Sequence, residues 1–474
     1  MKQLLPVLIS LFCVPFLMAQ ETKEDVLKNL ESKNKEYTAI AQNIWDYAEM
    51  GYQEEQSSAL LQKTLKKNGF TINKGVAGIP TAFIAEYGSG SPVIAILGEY
   101  DALPGLSQKA ISKKESLGKV AGHACGHHLF GTASTAAAIS VKEWMKSNAI
   151  KGTIRFYGCP AEEGGSGKVY MVREGLFDDV DIALHWHPGS LNAASAGAAL
   201  ANKSAKFRFY GISAHAAASP EKGRSALDGV ESMNAMVNMM REHIPQEARI
   251  HYVITDGGKA PNVVPDYAEV YYYVRHNTRD VVIDLFERLK NAAEGAALGT
   301  GTTMKYEMIG GTHELLPNLT IQKIMYENLT KVGGFTYTPE EQKFADEISL
   351  TLGFDKTDMD KVNTIAPYTT EGKAFGSTDV GDVSFTVPTA GLSTATWVPG
   401  TAAHSWQAVA AGGTSIGYTG MMNAAKTLAL TAIDVFNNPD LIVKAKAELE
   451  EKRGKDFIYL PLLGDREPAL DYRN

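Results

Sequence analysis

The run Ala121-Gly122-His123-Ala124-Cys125-Gly126-His127-His128 constrains this chain more than any other stretch. Histidine and cysteine this dense, spaced by glycine and alanine, are poor material for a core. They suit a divalent metal ion, which binds thiolate and imidazole at about 2.0–2.3 Å. Apolar Pro92-Val93-Ile94-Ala95-Ile96-Leu97 precedes the run, and a small-residue helical pattern over 129–145 follows it. A strand, a turn and a helix in that order place the cluster at the carboxyl edge of a sheet, where open α/β folds keep their sites.

Acidic residues leave two other segments at the same kind of position. Glu99-Tyr100-Asp101 follows the first strand. Such a pair is commonly a solvated turn. Beside a metal-binding cluster, however, an aspartate can accept the free N–H of a ligand imidazole and orient its ring. Lys151-Gly152-Thr153-Ile154-Arg155-Phe156-Tyr157-Gly158 reads as a strand ending in Cys159-Pro160-Ala161-Glu162-Glu163-Gly164-Gly165-Ser166-Gly167-Lys168. The glycines and lysine resemble a phosphate loop, but Glu162 stands where that motif needs its first glycine, and Val169 replaces the required Ser or Thr. Paired acids at a strand end fit metal hydrolysis better: one holds the ion while its neighbour takes a proton from the bound water. The strand 180–184 then delivers His185-Trp186-His187-Pro188. Alternation turns both histidines to one face, so one can ligate while the other lines the pocket. Spacing does not choose between them.

A length of 474 residues favours more than one domain, and a net charge of −8 disfavours a nucleic-acid partner. Residues 1–19 read as a signal peptide: Lys2 is the basic start, 4–18 the apolar run and Ala19 the cleavage end. A membrane anchor is the alternative, but the run is short and broken by Pro6 and Pro15. The expectation is an exported protein, periplasmic or extracellular, with no membrane attachment after signal removal. Cys125 and Cys159 could pair in an oxidising compartment. The surrounding histidines favour a metal ligand for Cys125 and a buried strand position for Cys159.

Along the chain, residues 22–70 predict two helices, the second ending near Gly69, and strands follow at 82–87 and 93–98. Residues 203–312 read strand, helix, strand, strand, helix, strand, the order of a split βαβ unit inserted into the first domain. The domains are therefore 20–202 and 313–474 for the host and 203–312 for the insert. The insert carries His215 between small residues, Asn262-Val263-Val264-Pro265, and Arg275 closing a strand. Residues 351–375 form a polar, irregular stretch without readable chemistry. A strand is expected at 383–388, a glycine-bounded loop around His404, and helices at 420–436 and 441–452.

These motifs, in this order, resemble the aminoacylase and carboxypeptidase-G family of two-metal peptidases and amidohydrolases. The match covers about residues 24–436, and it extends to Trp186-His187-Pro188, Ala214-His215-Ala216-Ala217, Ser377-Thr378-Asp379-Val380-Gly381-Asp382 and His404-Ser405-Trp406. The resemblance implies an α/β fold: a two-metal catalytic domain with a mixed sheet flanked by helices, and an inserted α+β, ferredoxin-like lid or dimerisation domain. It implies Cys125, His127, Glu163, His187 and His404 as metal ligands, with His185 in reserve, and Glu162 as general base. Asp101 would orient a ligand. His215 would stabilise the oxyanion, often across a dimer, and Asn262 and Arg275 would hold the substrate's carboxylate. Two divalent ions, zinc or manganese, and a homodimer follow, with a heteromer formed with a related A-type chain as the alternative.

Three departures stand out. Glu99 occupies a position where many members carry a ligand histidine, His128 stands where the family commonly shows Asp or Asn, and the signal peptide sets the chain apart from relatives that are usually cytoplasmic. The expected reaction is hydrolysis of the amide of an N-acyl or N-aroyl amino acid, or of a dipeptide. A broader aminoacylase or dipeptidase is one alternative; an exported binding protein without turnover and a Cys125 nucleophile are the others.

Overall fold

The computed structural model describes residues 20–372 and 376–473. The signal-peptide segment 1–19 lies outside the described residues. No helix among those described is long and apolar enough to cross a membrane.

The chain begins with three helices, Lys23–Ser32, Asn34–Tyr47 and Glu55–Lys67, where two were expected. Lys33 ends the first and starts the second. The apolar spacing continues through Lys33, so periodicity alone does not reveal the turn. Five strands of the main sheet follow: β1 (Thr71–Lys74), β2 (Phe83–Ser89), β3 (Val93–Glu99), β4 (Gly152–Cys159) and β5 (Ile182–Gly189), with the short pair Leu103–Pro104 and Ala121–Gly122 forming a sheet of their own. The insert supplies β6 (Ala201–Tyr210), β7 (Arg249–Asp256), β8 (Tyr267–His276) and β9 (Thr303–Thr312), and β10 (Thr389–Ala395) comes last.

The main sheet has the order β1-β2-β4-β3-β5-β10. β1, β2 and β4 pair antiparallel, whereas β4, β3, β5 and β10 run parallel, so the sheet is mixed. Every residue of β3 is buried. Ile94 and Ile96 enter a core shared with the helix His127–Ser147, while Val93, Ala95 and Leu97 enter a second core shared with Val169 and Met171. This two-sided burial explains a continuous apolar run in place of alternation. Each fully buried Ile or Leu contributes about 1.5–3 kcal/mol. In the β3–β4 register Glu99 pairs with Cys159, so the acidic segments after both strands leave the sheet at one level.

The insert forms its own antiparallel sheet, β9-β6-β8-β7, packed with helices Ala226–Met240 and Arg279–Thr300 in one core. β7 is an edge strand with Tyr252, Val253 and Ile254 exposed. Such an edge is a template for pairing with another chain.

The strand expected at 383–388 is instead mostly the helix Val380–Thr386, and the strand begins at Thr389. Val383 and Val387 suggested a strand by propensity. Burial of Val380, Val383 and Val387 in one core overrides it. The side chains of Asp382 and Ser384 also lock the helix, accepting from the backbone N–H of His313 and Leu316 at 3.0 and 2.9 Å.

Candidate active site and metal centre

Gly126 turns the chain from the loop into the helix that starts at His127. Its φ of 76° is left-handed, and a Cβ there would lie 2.7 Å from the Pro188 side chain. Only glycine fits, and the turn brings Cys125 and His127 to one side. The Cys125 Sγ lies 3.4 Å from His187 Nε2. His127 is clasped by two carboxylates: its Nδ1 is 2.7 Å from Asp101 Oδ1 and its Nε2 is 3.1 Å from Glu99 Oε2. The other Asp101 oxygen accepts from the Glu163 backbone N–H at 2.9 Å. Asp101 thus ties the histidine loop to the Glu162-Glu163 turn.

That turn is held under strain. Ala161 and Ser166, on either side of it, have φ of 56° and 60°, and His404 has φ of 60°. A non-glycine residue in this region costs on the order of 1–3 kcal/mol and persists only where its surroundings dictate it. Glu54 is one such constraint. It is buried, and its Oε1 accepts from Ala161 N–H at 2.8 Å while Oε2 accepts from Thr81 Oγ1 at 2.9 Å. Burial, with Asp101 nearby, pushes the Glu54 carboxyl up to about 8. His404 Nε2 reaches Glu163 Oε1 at 2.9 Å, and His404 N–H donates to Ala124 O at 2.9 Å.

Among the described residues, three sets of donor atoms each gather within 4.8 Å: Cys125, His127 and His187; Cys125, Glu163 and His404; and Glu99, His127 and Glu162. The first two share the Cys125 sulfur. Apart from their 3.1 Å approach to one another, the buried His127 Nε2 and Glu99 Oε2 have no hydrogen-bond partner among the described residues. Buried polar atoms left in this state are rare, and both belong to the sets that could hold a metal ion.

Burial opposes a charged His127, but Asp101, Cys125 and Glu99 outweigh it and raise the imidazole well above its ordinary range. Burial, then Glu99 and Glu163, raise Glu162 well above the carboxylate range. Glu163 is lowered despite burial, because His404 bonds to it. Burial and the His127 charge push His187 down to about 4, leaving a neutral imidazole available as a ligand.

Lys168 is the main feature the sequence did not announce. It is fully buried, and its Nζ donates to Glu99 Oε1 at 2.6 Å and to Asp379 Oδ1 at 2.7 Å. Its backbone N–H donates to Asp379 Oδ2 at 2.9 Å. The lysine that resembled a phosphate binder therefore neutralises two carboxylates from inside the fold. Only the acids on either side could have hinted at this.

The remaining candidates divide into two sets. Arg275 lines the same cleft, of about 730 Å³, as Cys125, Glu162, Glu163, His187 and His404. Its guanidinium lies 5.2 Å from the Tyr273 ring. His215 and Asn262 are exposed on the insert, where Ala216 N–H donates to Asn262 O at 3.0 Å, and neither lines the cleft. His185 is absent from all three donor groups and lines a separate pocket of about 370 Å³. It fits because Gly391 pairs opposite it, where a Cβ would lie 2.2 Å from His185 Nε2. His123 and His128 turn away to bond Ile44 O and Gly412 O, at 3.0 and 2.9 Å. Cys159 is a buried free thiol at the end of β4.

A family model for a peptidase dimerisation domain matches residues 201–300. The chain is 43% identical to a subunit of the p-aminobenzoyl-glutamate hydrolase of Escherichia coli K12, over 93% of this chain and 97% of that protein. It is 29% identical to the Xaa-Arg dipeptidase of Mus musculus, over 91% of this chain and 92% of that one. Among solved structures, the aminobenzoyl-glutamate utilization protein of Klebsiella pneumoniae aligns with a TM-score of 0.61 at 18% identity, covering 86% of this chain and 97% of its own. A dinuclear metal binding peptidase of the M20 family from Bacillus subtilis aligns with a TM-score of 0.56 at 18% identity, covering 85% and 99%. Both share the fold described above.

Proposed function

This chain belongs to the M20 peptidase family of hydrolytic enzymes, and on that premise we propose that it is a metal-dependent hydrolase that cleaves the amide bond of N-acyl or N-aroyl amino acids, of the p-aminobenzoyl-glutamate type, or of dipeptides. The observation that carries this reading is the pair of donor triads sharing Cys125, set beside the half-buried Glu162 in one cleft. Cys125, His127, His187, Glu163 and His404 would hold two divalent ions, zinc or manganese; the mixed thiolate, imidazole and carboxylate set suits either. When bound, such ions lower the pKa of water towards neutrality and polarise a carbonyl.

The chain's own residues do the rest. Glu162 accepts a proton from the attacking water and returns it to the leaving nitrogen. Asp101 fixes the His127 ring through Nδ1. Arg275 offers a cationic hold for the substrate's α-carboxylate. Export is part of the same reading and rests on Lys2 and the apolar run over 4–18.

The first test measures bound metal and glutamate release from p-aminobenzoyl-glutamate, before and after chelation, on protein lacking residues 1–19. We expect release that disappears on chelation and returns with zinc or manganese. A protein that binds neither metal and turns over no N-acyl amino acid would sink the reading.

A second chain completes the site in this reading. His215 and Asn262 stand outside the cleft of their own chain, and the exposed edge strand β7 supports pairing through the insert. Glu162→Gln and His215→Ala proteins, each severely impaired alone, should regain activity when unfolded and refolded together. Recovery should approach about a quarter of the wild-type value, because half the dimers are mixed and one of their two sites is intact. No recovery would mean that His215 does not act across a dimer.

A further inference from the structure

Beyond the helix Pro439–Arg453, residues 454–473 form a strap that crosses from the host domain over the insert and ends in the cleft. Tyr459 Oη donates to Asp382 Oδ1 at 2.7 Å, and His313 Nε2 lies 3.0 Å from Leu460 O. Leu462 and Leu463 are buried at the point where Gly311 lets the strap lie against β9; a Cβ there would be 2.7 Å from the Leu462 carbonyl carbon. The Arg466 guanidinium donates to Ile309 O at 2.6 Å. The end is anchored to the catalytic turn itself: Tyr472 Oη and Arg473 Nη2 both donate to Glu163 O, at 3.0 and 2.6 Å. Tyr472 also packs edge-on against Tyr52, with ring centroids 5.4 Å apart.

Arg473 is braced but not satisfied. It lines the cleft that holds Cys125 and Glu162, and its Nε is buried without a partner among the described residues. Arg275 lines the same cleft and its Nε is idle in the same way. The cleft's carboxylates do not neutralise them: Glu163 engages His404, Asp379 engages Lys168, and among the described residues Glu162 forms no ion pair with either arginine. A guanidinium is built for two-point contact with a carboxylate. A neutral amino acid has one such group, which occupies one arginine; two idle arginines match a dicarboxylic amino acid.

We propose that Arg473, delivered by the strap, reads the side-chain carboxylate of an acidic amino acid in the substrate, while Arg275 holds the α-carboxylate. This rests on the functional reading above and adds a specificity residue from outside the two sheets.

The test titrates N-benzoyl-L-glutamate and N-benzoyl-L-glutamine calorimetrically into zinc-loaded protein carrying Glu162→Gln, with and without Arg473→Gln. Binding is then read without turnover. Steady-state kinetics of wild type, Arg473→Gln and Tyr472→Phe on both compounds accompany it. The expected result is that Arg473→Gln weakens the glutamate compound by about 10- to 100-fold, as loss of hydrogen bonds to a charged partner implies, mostly in KM, and changes the glutamine compound by less than about threefold. Tyr472→Phe, which removes only a brace on Glu163 O, should move both compounds alike. Equal losses on both compounds with Arg473→Gln would make Arg473 a brace as well and overturn the proposal. So would unselective binding by the parent protein. Wild type that binds the glutamate compound through Arg473 yet hydrolyses neither would instead refute the functional reading.

Discussion

Glu162→Gln removes turnover, by about 10²- to 10⁴-fold in kcat, the usual share of a positioned acid–base group, and leaves bound metal unchanged. The substitution is close to isosteric, and in the five-residue ligand set proposed here Glu162 is not a ligand. Glu163, its neighbour, is the residue that meets His404 at 2.9 Å. Metal analysis of wild type and variant, alongside kcat on p-aminobenzoyl-glutamate, separates the alternatives. Loss of metal with loss of rate would move Glu162 into the ligand set through its place beside Glu99 and His127. Turnover largely intact would instead favour Cys125 as nucleophile. That alternative has a structural difficulty: burial pushes the Cys125 thiol up, away from the thiolate a nucleophile needs.

Lys168→Met destabilises the fold by about 3–5 kcal/mol, the cost of stranding buried charges by removing one partner. The side chain is similar in length, so cavity formation contributes little. What changes is the charge: Glu99 and Asp379, each bound to Nζ within 2.7 Å, face one another with no cation between them. Urea unfolding of both proteins, compared at constant slope, measures the loss. Lys168→Met/Glu99→Gln should recover part of it, since one stranded carboxylate is neutralised. A single variant within about 1 kcal/mol of wild type would mean that Glu99 takes up a proton when the lysine is lost. Burial already raises its pKa in the native protein, with Lys168 the main opposing influence.

The same network gives a physical reading of Glu99, which stands where many relatives carry a ligand histidine. Half of this carboxylate is bound to Lys168 and the other half faces His127 Nε2 at 3.1 Å. Glu99 sits near the proposed metal position and is tied to the charge of a lysine buried in the fold.

Some of this was legible in the sequence because it is local. The apolar run before Glu99, the glycine turn at Gly126 and the alternation in β6 and β8 each state their own conformation, since backbone preference and burial act over a few residues. The mixed sheet and the antiparallel insert follow from those elements in order. Candidates at strand ends, such as Glu162 and His187, were visible because polar residues interrupting apolar strands stand out. Where local preference and packing disagreed, as over 383–388, packing prevailed and the expected strand became a helix.

Other features depend on residues far apart in the chain. Lys168 is separated from Glu99 by 69 residues and from Asp379 by 211, and Arg473 lies 310 residues from the Glu163 carbonyl it grips. His185 and His187 carry the same local signal, yet one meets Cys125 and the other fills the space left by Gly391. By itself the sequence determined which chemistry the chain carries and on which kinds of element. Only the tertiary structure decided which charged groups neutralise one another and which remain free, because electrostatic pairing depends on distance in space.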